Sequence, residues 1–454
     1  MSKNRFEIDM LNGSIMPKLI SFALPLMASS ILQLLFNAVD VITVGQFSGS
    51  DALAAVGSTT ALINMLTNLM IGISLGANVL SARYFATKQD KEMSKTVHTA
   101  ITFAMISGTI MLIIGIALAR PLLLLMDTPS NVIDQSVLYM RIYFLGMPFF
   151  MMYNFCAAVL RAIGDTKRPL LFLFISGLLN TGLNLLLVIK FHMGVAGVGI
   201  ATVASQMLSC ILVTTCLMKV EGGYKLDFRK LGIDLSKLKT MCKVGIPAGI
   251  QGTVISFSNV LLQSSVNSFG KDAMAGYTSA NNVLGFLFVS INSVSQACMS
   301  FTSQNFSVRK FKRMNRILKD CFILDLIVAG ILGGISFVFA RQILGIYSKE
   351  AEVISYGLEI MYMTTITYFI CGFMDLIPGA LRGMGYSSIP MLFSIIGTVG
   401  TRIVWIYLLF PYFRSLDFLF ISYPVSWTVT VMMQLSYYIL VRRKIKAKYG
   451  EGIT

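Results

Sequence analysis

This sequence is short of charge, short of histidine and empty of the usual enzyme signatures. Charged residues make up 13% of 454, where a soluble chain carries about 25%. A water-soluble surface over this length is therefore excluded. Two histidines, His98 and His192, are too few for histidine metal sites. Neither HExxH nor GxxxxGK[ST] occurs, which removes zinc hydrolysis and P-loop nucleotide binding. GVAGVG (Gly194 to Gly199) opens an apolar run, where glycines serve close helix packing. The seven cysteines are scattered through apolar segments without metal-like pairing and read as small packing residues. The short alternating segments of a membrane β-barrel are missing. The opening MSKNRFEIDM is polar and the apolar run behind it is too long for a cleavable signal, so that run is expected to be an uncleaved first span.

What is there is apolar length. Hydrophobic residues reach 55% and mean hydropathy is +0.74. Runs long enough to cross a bilayer recur along the chain. The expected fold is an all-α polytopic membrane protein with helices near 17–44, 54–82, 96–119, 132–160, 169–190, 195–218, 243–268, 273–303, 317–340, 351–381, 390–411 and 417–441. An even number of spans puts both termini on one side. Most of the 37 lysines and arginines lie in the N-terminus, the alternate gaps and the C-terminal tail, which predicts cytoplasmic termini. The same distribution makes the formal charge of +16 a topology signal and not a nucleic-acid footprint.

The halves repeat. LRAIGDTKRP (Leu160 to Pro169) is matched by LRGMGYSSIP (Leu381 to Pro390), and GSDALA (Gly49 to Ala54) by GKDAMA (Gly270 to Ala275), both 221 positions on. Pro25 and Asn37 correspond to Pro247 and Asn259 at 222. The expected organisation is an N-lobe over 1–219, a cytoplasmic linker over 220–239 and a C-lobe over 240–454, two pseudo-symmetric six-helix bundles around a central cavity. Such repeats typify secondary transporters. Without a nucleotide site, transport would draw on an ion gradient or run downhill.

Of the 21 acids, Asp40, Asp325, Glu359 and Asp375 fall within expected spans. Charges at that depth usually face a cavity or a partner. Gln33, Asn37 and Asp40 share a polar stripe at i, i+4 and i+7 of the first helix. Asn180 and Asn184 share a face of the fifth, and Thr202 lies early in the sixth. A carboxylate, amides and a hydroxyl are hard oxygen donors suited to a small cation or a hydrogen-bonded proton. Any single membrane asparagine more often bonds a neighbouring helix, but this set surrounds an acid. The repeat does not duplicate it: Asp40 aligns with Leu262, Asn180 with Thr401 and Asn184 with Trp405. Asp375 and Arg402, on neighbouring spans, are expected to form a C-lobe charge pair, with a second cation or substrate site as the sharper alternative. Asp325, six residues past Lys319, is placed near cytoplasmic headgroups, and Glu359 near the outer surface.

Pro25…Asn37-Ala-Val-Asp40, GSDALAAVG, LRAIGDTKRP with LRGMGYSSIP, and Asn180-Thr-Gly-Leu-Asn184 followed by GVAGVGIAT together resemble the multidrug and toxic compound extrusion (MATE) transporters along essentially the whole chain. The resemblance implies twelve helices in two bundles, and export of cationic amphipathic compounds in exchange for H⁺ or Na⁺. It implies an N-lobe cation site at Asp40, Asn180, Asn184 and Thr202, with Na⁺ as a candidate occupant. Some members carry an acid at the position of Asn184; others use an acid in the seventh helix, which has none here.

The expected activity is thus non-enzymatic antiport without a cofactor, by a monomer in a bacterial plasma membrane. Its partners would be small cationic amphipaths and the lipid bilayer. Pro25 would supply the bend in the first helix. Two rival readings are a lipid-linked oligosaccharide flippase of the same superfamily, which would need several cavity bases, and an intramembrane lipid-modifying enzyme, which would need a catalytic cluster.

Overall fold

The computed structural model describes residues 6–126 and 128–449, so the outermost five residues of each expected lobe lie outside it. Described residues are helical almost throughout. In chain order the main helices are α1 (Met16–Phe47), α2 (Ser50–Ala86), α3 (Asp90–Leu125), α4 (Ile133–Leu145 with Met147–Ala162), α5 (Lys167–Lys190), α6 (Gly194–Lys219), α7 (Leu235–Asn267), α8 (Lys271–Ser307), α9 (Phe311–Val338), α10 (Ala351–Gly383), α11 (Ser388–Leu409) and α12 (Leu416–Tyr449). Eleven are long and apolar enough to cross a membrane singly, and the bent pair forming α4 makes twelve. The protein is a multi-pass membrane protein. Each expected span falls inside one of these helices or overlaps it closely.

Local chemistry accounts for the interruptions. The two halves of α4 meet at 46°, where Gly146 precedes Met147-Pro148; a proline nitrogen has no hydrogen for the helical ladder. Gly49 (φ 87°) and Gly270 (φ 104°) precede α2 and α8, and Gly164 and Gly385 (both φ 94°) precede α5 and α11. These left-handed positions suit glycine, and both pairs are 221 apart, so the repeat extends to the turns. It extends to helix irregularity as well: α5 widens into a π-helix over Leu185–Lys190, directly after Asn184, and α11 does so over Ile395–Gly400 and Trp405–Leu409.

The chain divides into two compact units. One comprises Met1–Ile8 and Ala28–Gly249, the other Asp9–Met27 and Ile250–Thr454. Both helices that carry the repeat-related prolines change unit within a few residues of them: α1 after Met27, just past Pro25, and α7 after Gly249, just past Pro247. The 220–239 segment packs in the first unit. There Tyr224 donates to Glu7 (2.6 Å), and Lys237 reaches Glu92 (2.5 Å) and the Tyr84 hydroxyl (2.6 Å).

In the first unit a continuous apolar core runs from Val44 through Phe144 and Phe155 to Leu217. The first half of α7 lies hard against α2: a Cβ on Gly72 would come within 2.3 Å of the Gly249 nitrogen. In the second unit the core gathers Leu262, Tyr277, Leu287, Met361, Tyr368, Phe420 and Trp427. Large apolar side chains left exposed, such as Ile113, Leu178, Ile331 and Ile366, are those expected of lipid-facing helices.

Candidate functional site in the first unit

Asp40 lies in the last third of α1 and is 7% exposed. Two other helices hold it. Asn184, the final residue of the regular part of α5, donates from Nδ2 to Asp40 Oδ1 in a short contact, and also to Asn180 Oδ1 at 3.3 Å. Thr202 of α6 reaches Asp40 Oδ2 at 3.4 Å and donates to the Val198 carbonyl at 3.0 Å. Asn180 and Asn184 sit one turn apart on one face and are buried. Asp40, Asn180, Asn184 and Thr202 are therefore one cluster, assembled from residues up to 162 positions apart.

One atom of this cluster stands out. Asn184 Oδ1 is buried and accepts no hydrogen bond. An unsatisfied buried acceptor costs about 1–3 kcal/mol. Beside a carboxylate, an amide oxygen and a hydroxyl, it completes a set of hard oxygens suited to Na⁺ or to a proton donor. Among the described residues no group of three or more His, Cys, Asp or Glu could hold a metal, so a softer or more highly charged ion has no comparable cage there.

Gln33 and Asn37 do not join the cluster. Both are exposed and neither bonds to Asp40. The stripe exists on α1, but Asp40 is its only member bonded to α5 and α6 among the described residues, although α5 also passes close to Phe36. A Cβ on Gly177 of α5 would strike the Phe36 ring, and it is the absence of that Cβ that lets the helices meet here. Sequence reasoning missed Tyr139 and Tyr143 of α4, which lie within electrostatic range of Asp40. No pattern in their own helix marks them.

The expected pairing in the second unit is not formed. Asp375 accepts from Asn292 of α8 (2.6 Å), and its backbone carbonyl accepts from Ser295 (2.8 Å). Arg402, 1% exposed, donates instead to Ser426 (3.2 Å), Ser258 (3.0 Å) and Asn259 (2.9 Å). Neighbouring helices carry the two residues, but the side chains leave on different faces, Asp375 toward α8 and Arg402 toward α7 and α12. The nearer basic residue to Asp375 is Arg382, which donates to Gln251 at 2.6 Å. Asp325 does not reach headgroups: it is fully buried against Gly372 of α10, and neither oxygen has a hydrogen-bond partner. Glu359 is half-buried in a hollow of about 560 Å³ lined also by Tyr362, Ile366 and Asp417.

Known proteins share this duplicated fold. The MatE family model matches residues 25–186 and again 247–408, one copy per half. The probable multidrug resistance protein YoeA of Bacillus subtilis is 29% identical over 432 residues, 93% of either chain. The probable multidrug resistance protein NorM of Thermotoga maritima is 24% identical, covering 87% of this chain and 86% of its own. A crystal structure of MATE in complex with MaL6 superposes with a TM-score of 0.91 at 18% identity, covering 98% of this chain and all of that one. The duplicated helical scaffold, the twofold match to one family and the shared fold lead to one conclusion: this chain belongs to the MatE family of membrane transporters.

Proposed function

We propose that this transporter exports cationic amphipathic compounds in exchange for H⁺ or Na⁺, with Asp40 carrying the coupling charge. The observation that carries the reading is the Asp40 cluster: one buried carboxylate held by Asn184 and Thr202, with the Asn184 Oδ1 acceptor left open beside it. The multidrug names of the relatives support the substrate class. The charge distribution supports cytoplasmic termini, and the bacterial relatives support a bacterial plasma membrane. The protein would act there as a monomer.

In this reading the ionised carboxylate attracts a cationic drug, while a proton or Na⁺ neutralises it and releases the drug. Each unit charge that moves inward with the field adds about 2.3 kcal/mol per 100 mV. Pro25 has no N–H for the Ser21 carbonyl, so α1 is weakened as a rod near the point where it changes unit, and a change at Asp40 can alter its course. Replacing Asp40 by Asn is the test. In proteoliposomes with an imposed H⁺ or Na⁺ gradient, Asp40→Asn should insert normally and lose ethidium efflux. Efflux at the wild-type rate would refute the mechanism.

A further inference from the structure

The second unit contains a counterpart of the Asp40 cluster with the opposite charge. Arg402 of α11 meets Ser258 and Asn259 of α7 and Ser426 of α12. These three helices are the repeat partners of α5, α1 and α6, the helices that assemble Asp40, Asn184 and Thr202. Asn259 corresponds to Asn37 and Arg402 to Thr181, at offsets of 222 and 221, so the two clusters share repeat-related helices but not site positions, each counterpart lying next to a member of the Asp40 cluster or one turn from it. The guanidinium also lies over the Tyr423 ring, 4.5 Å from its centroid, and the Tyr423 hydroxyl meets that of Tyr277 at 2.9 Å.

Every partner of this buried cation is neutral. Nε and Nη1 donate to two serine oxygens and one amide oxygen, and among the described residues no carboxylate lies within 4.0 Å. A guanidinium at membrane depth costs about 2.5–3.5 kcal/mol on insertion scales. Here the compensation comes from oxygen dipoles and an aromatic face. Such a shell of neutral oxygens around one positive charge is what a protein presents to a small cation.

We propose that Arg402 is a resident cation, occupying the second unit's counterpart of the exchangeable site in the first. The proposal rests on reading the Asp40 cluster as a cation site. A tethered guanidinium cannot dissociate, so the second half of α7 stays bound through Ser258 and Asn259, whereas α1 is released whenever Asp40 changes its occupant. This explains why α7 carries no acid at the position of Asp40: an acid there would form an ion pair with Arg402 and bind no free ion. One exchangeable site then serves both repeats.

A simple staple between helices makes a different prediction from a resident cation. Removing the Arg402 side chain should leave an oxygen-lined hole that accepts a small free cation. The test is thermal unfolding of purified Arg402→Ala in detergent, titrated with guanidinium in the low millimolar range against choline at constant ionic strength. The expected result is a lowered midpoint, at least half of which guanidinium restores saturably; choline restores none, and the wild type does not respond. Arg402→Gln, which fills the hole with a neutral group, should not respond either. Equal responses of Arg402→Ala and wild type to guanidinium would overturn the proposal. Should Arg402→Ala fail to accumulate, efflux by Arg402→Lys and Arg402→Gln decides: a resident cation requires Lys to exceed Gln by about tenfold, or 1.4 kcal/mol, and equality overturns it. Repeating the titration in an Asp40→Asn background separates the two readings, because the guanidinium response should survive there even if Asp40 proves not to couple transport.

Discussion

Asn184 gives its amide hydrogen to Asp40 and keeps its own carbonyl oxygen buried without a partner. The donor side fixes the orientation of the amide. The acceptor side is then turned to a place where no described residue satisfies it, a cost that, under the proposed function, an arriving cation or proton donor would offset. Because the two residues are 144 positions apart on α1 and α5, such an occupant would also be felt by the packing of two helices.

Asn184→Ala removes both roles at once. Hydrogen bonds to charged groups contribute roughly 1.5–3 kcal/mol, so gradient-driven efflux should fall by about tenfold or more while membrane-inserted yield is kept. Asn184→Asp adds a second carboxylate beside Asp40. Like charges this close favour a bound cation, so the concentration of Na⁺ giving half-maximal stimulation should drop. A rise, measured as ethidium efflux against Na⁺ at fixed pH, would contradict the assignment.

Thr202→Val should be milder. Its bond to Asp40 is 3.4 Å long, and the hydroxyl already has the Val198 carbonyl at 3.0 Å. At that length the bond contributes less than the roughly 1 kcal/mol of an ordinary one, so a reduction of about threefold is expected. A loss as large as that of Asn184→Ala would mean that Thr202 binds the occupant directly.

Gly72 and Gly57 offer a paired test of packing on α2. A Cβ at Gly72 meets Gly249 backbone at 2.3 Å, whereas at Gly57 nothing lies within 4 Å. Backbone cannot rotate away as a side chain can, and overpacking costs about 1–3 kcal/mol. Gly72→Ala should lower the unfolding midpoint. Gly57→Ala, in the same helix, should raise it slightly through helix propensity, by up to about 1 kcal/mol.

The segment ahead of α1 is tied down by charge. Arg313 donates to the carbonyls of Met10 (3.2 Å), Asn12 (3.1 Å) and Gly13 (2.7 Å), and Lys310 to Leu11 (2.8 Å) and the Asn12 side chain (2.9 Å). Met10 is fully buried. In Arg313→Ala, cleavage within residues 9–15 by thermolysin, which cuts before large apolar residues such as Leu11 and Ile15, should accelerate by roughly tenfold, since proteolysis follows the population of the open form. An unchanged digestion rate would show that the apolar anchor at Met10 suffices.

Asp325→Leu should raise thermal stability. Both carboxyl oxygens are buried and unpartnered, and replacing such a group by an apolar one of similar volume removes its desolvation cost, about 1–3 kcal/mol. A fall in the unfolding midpoint would reveal a partner that the static arrangement does not contain.

Twelve spans and the repeat were legible in the sequence because each depends on local chemistry. A twenty-residue apolar run has one comfortable solvent, and a left-handed turn has one comfortable residue; Gly49 with Gly270 and Gly164 with Gly385 announce themselves at a fixed offset. Asp40 was legible as unusual because a carboxylate at that depth needs a reason; Asn180, Asn184 and Thr202 were legible as polar residues within spans, and their grouping into one N-lobe site came through resemblance. Only tertiary structure decided which polar groups actually meet. Gln33 and Asn37 share the face of Asp40 yet remain outside its cluster, because coverage depends on where α5 and α6 cross α1. Asp375 and Arg402 occupy neighbouring helices yet point apart, and Arg402 is satisfied by oxygens from α7 and α12. Periodicity along a helix determines which face a side chain is on; what stands opposite that face depends on helix crossings set by contacts hundreds of residues apart, which no local pattern records.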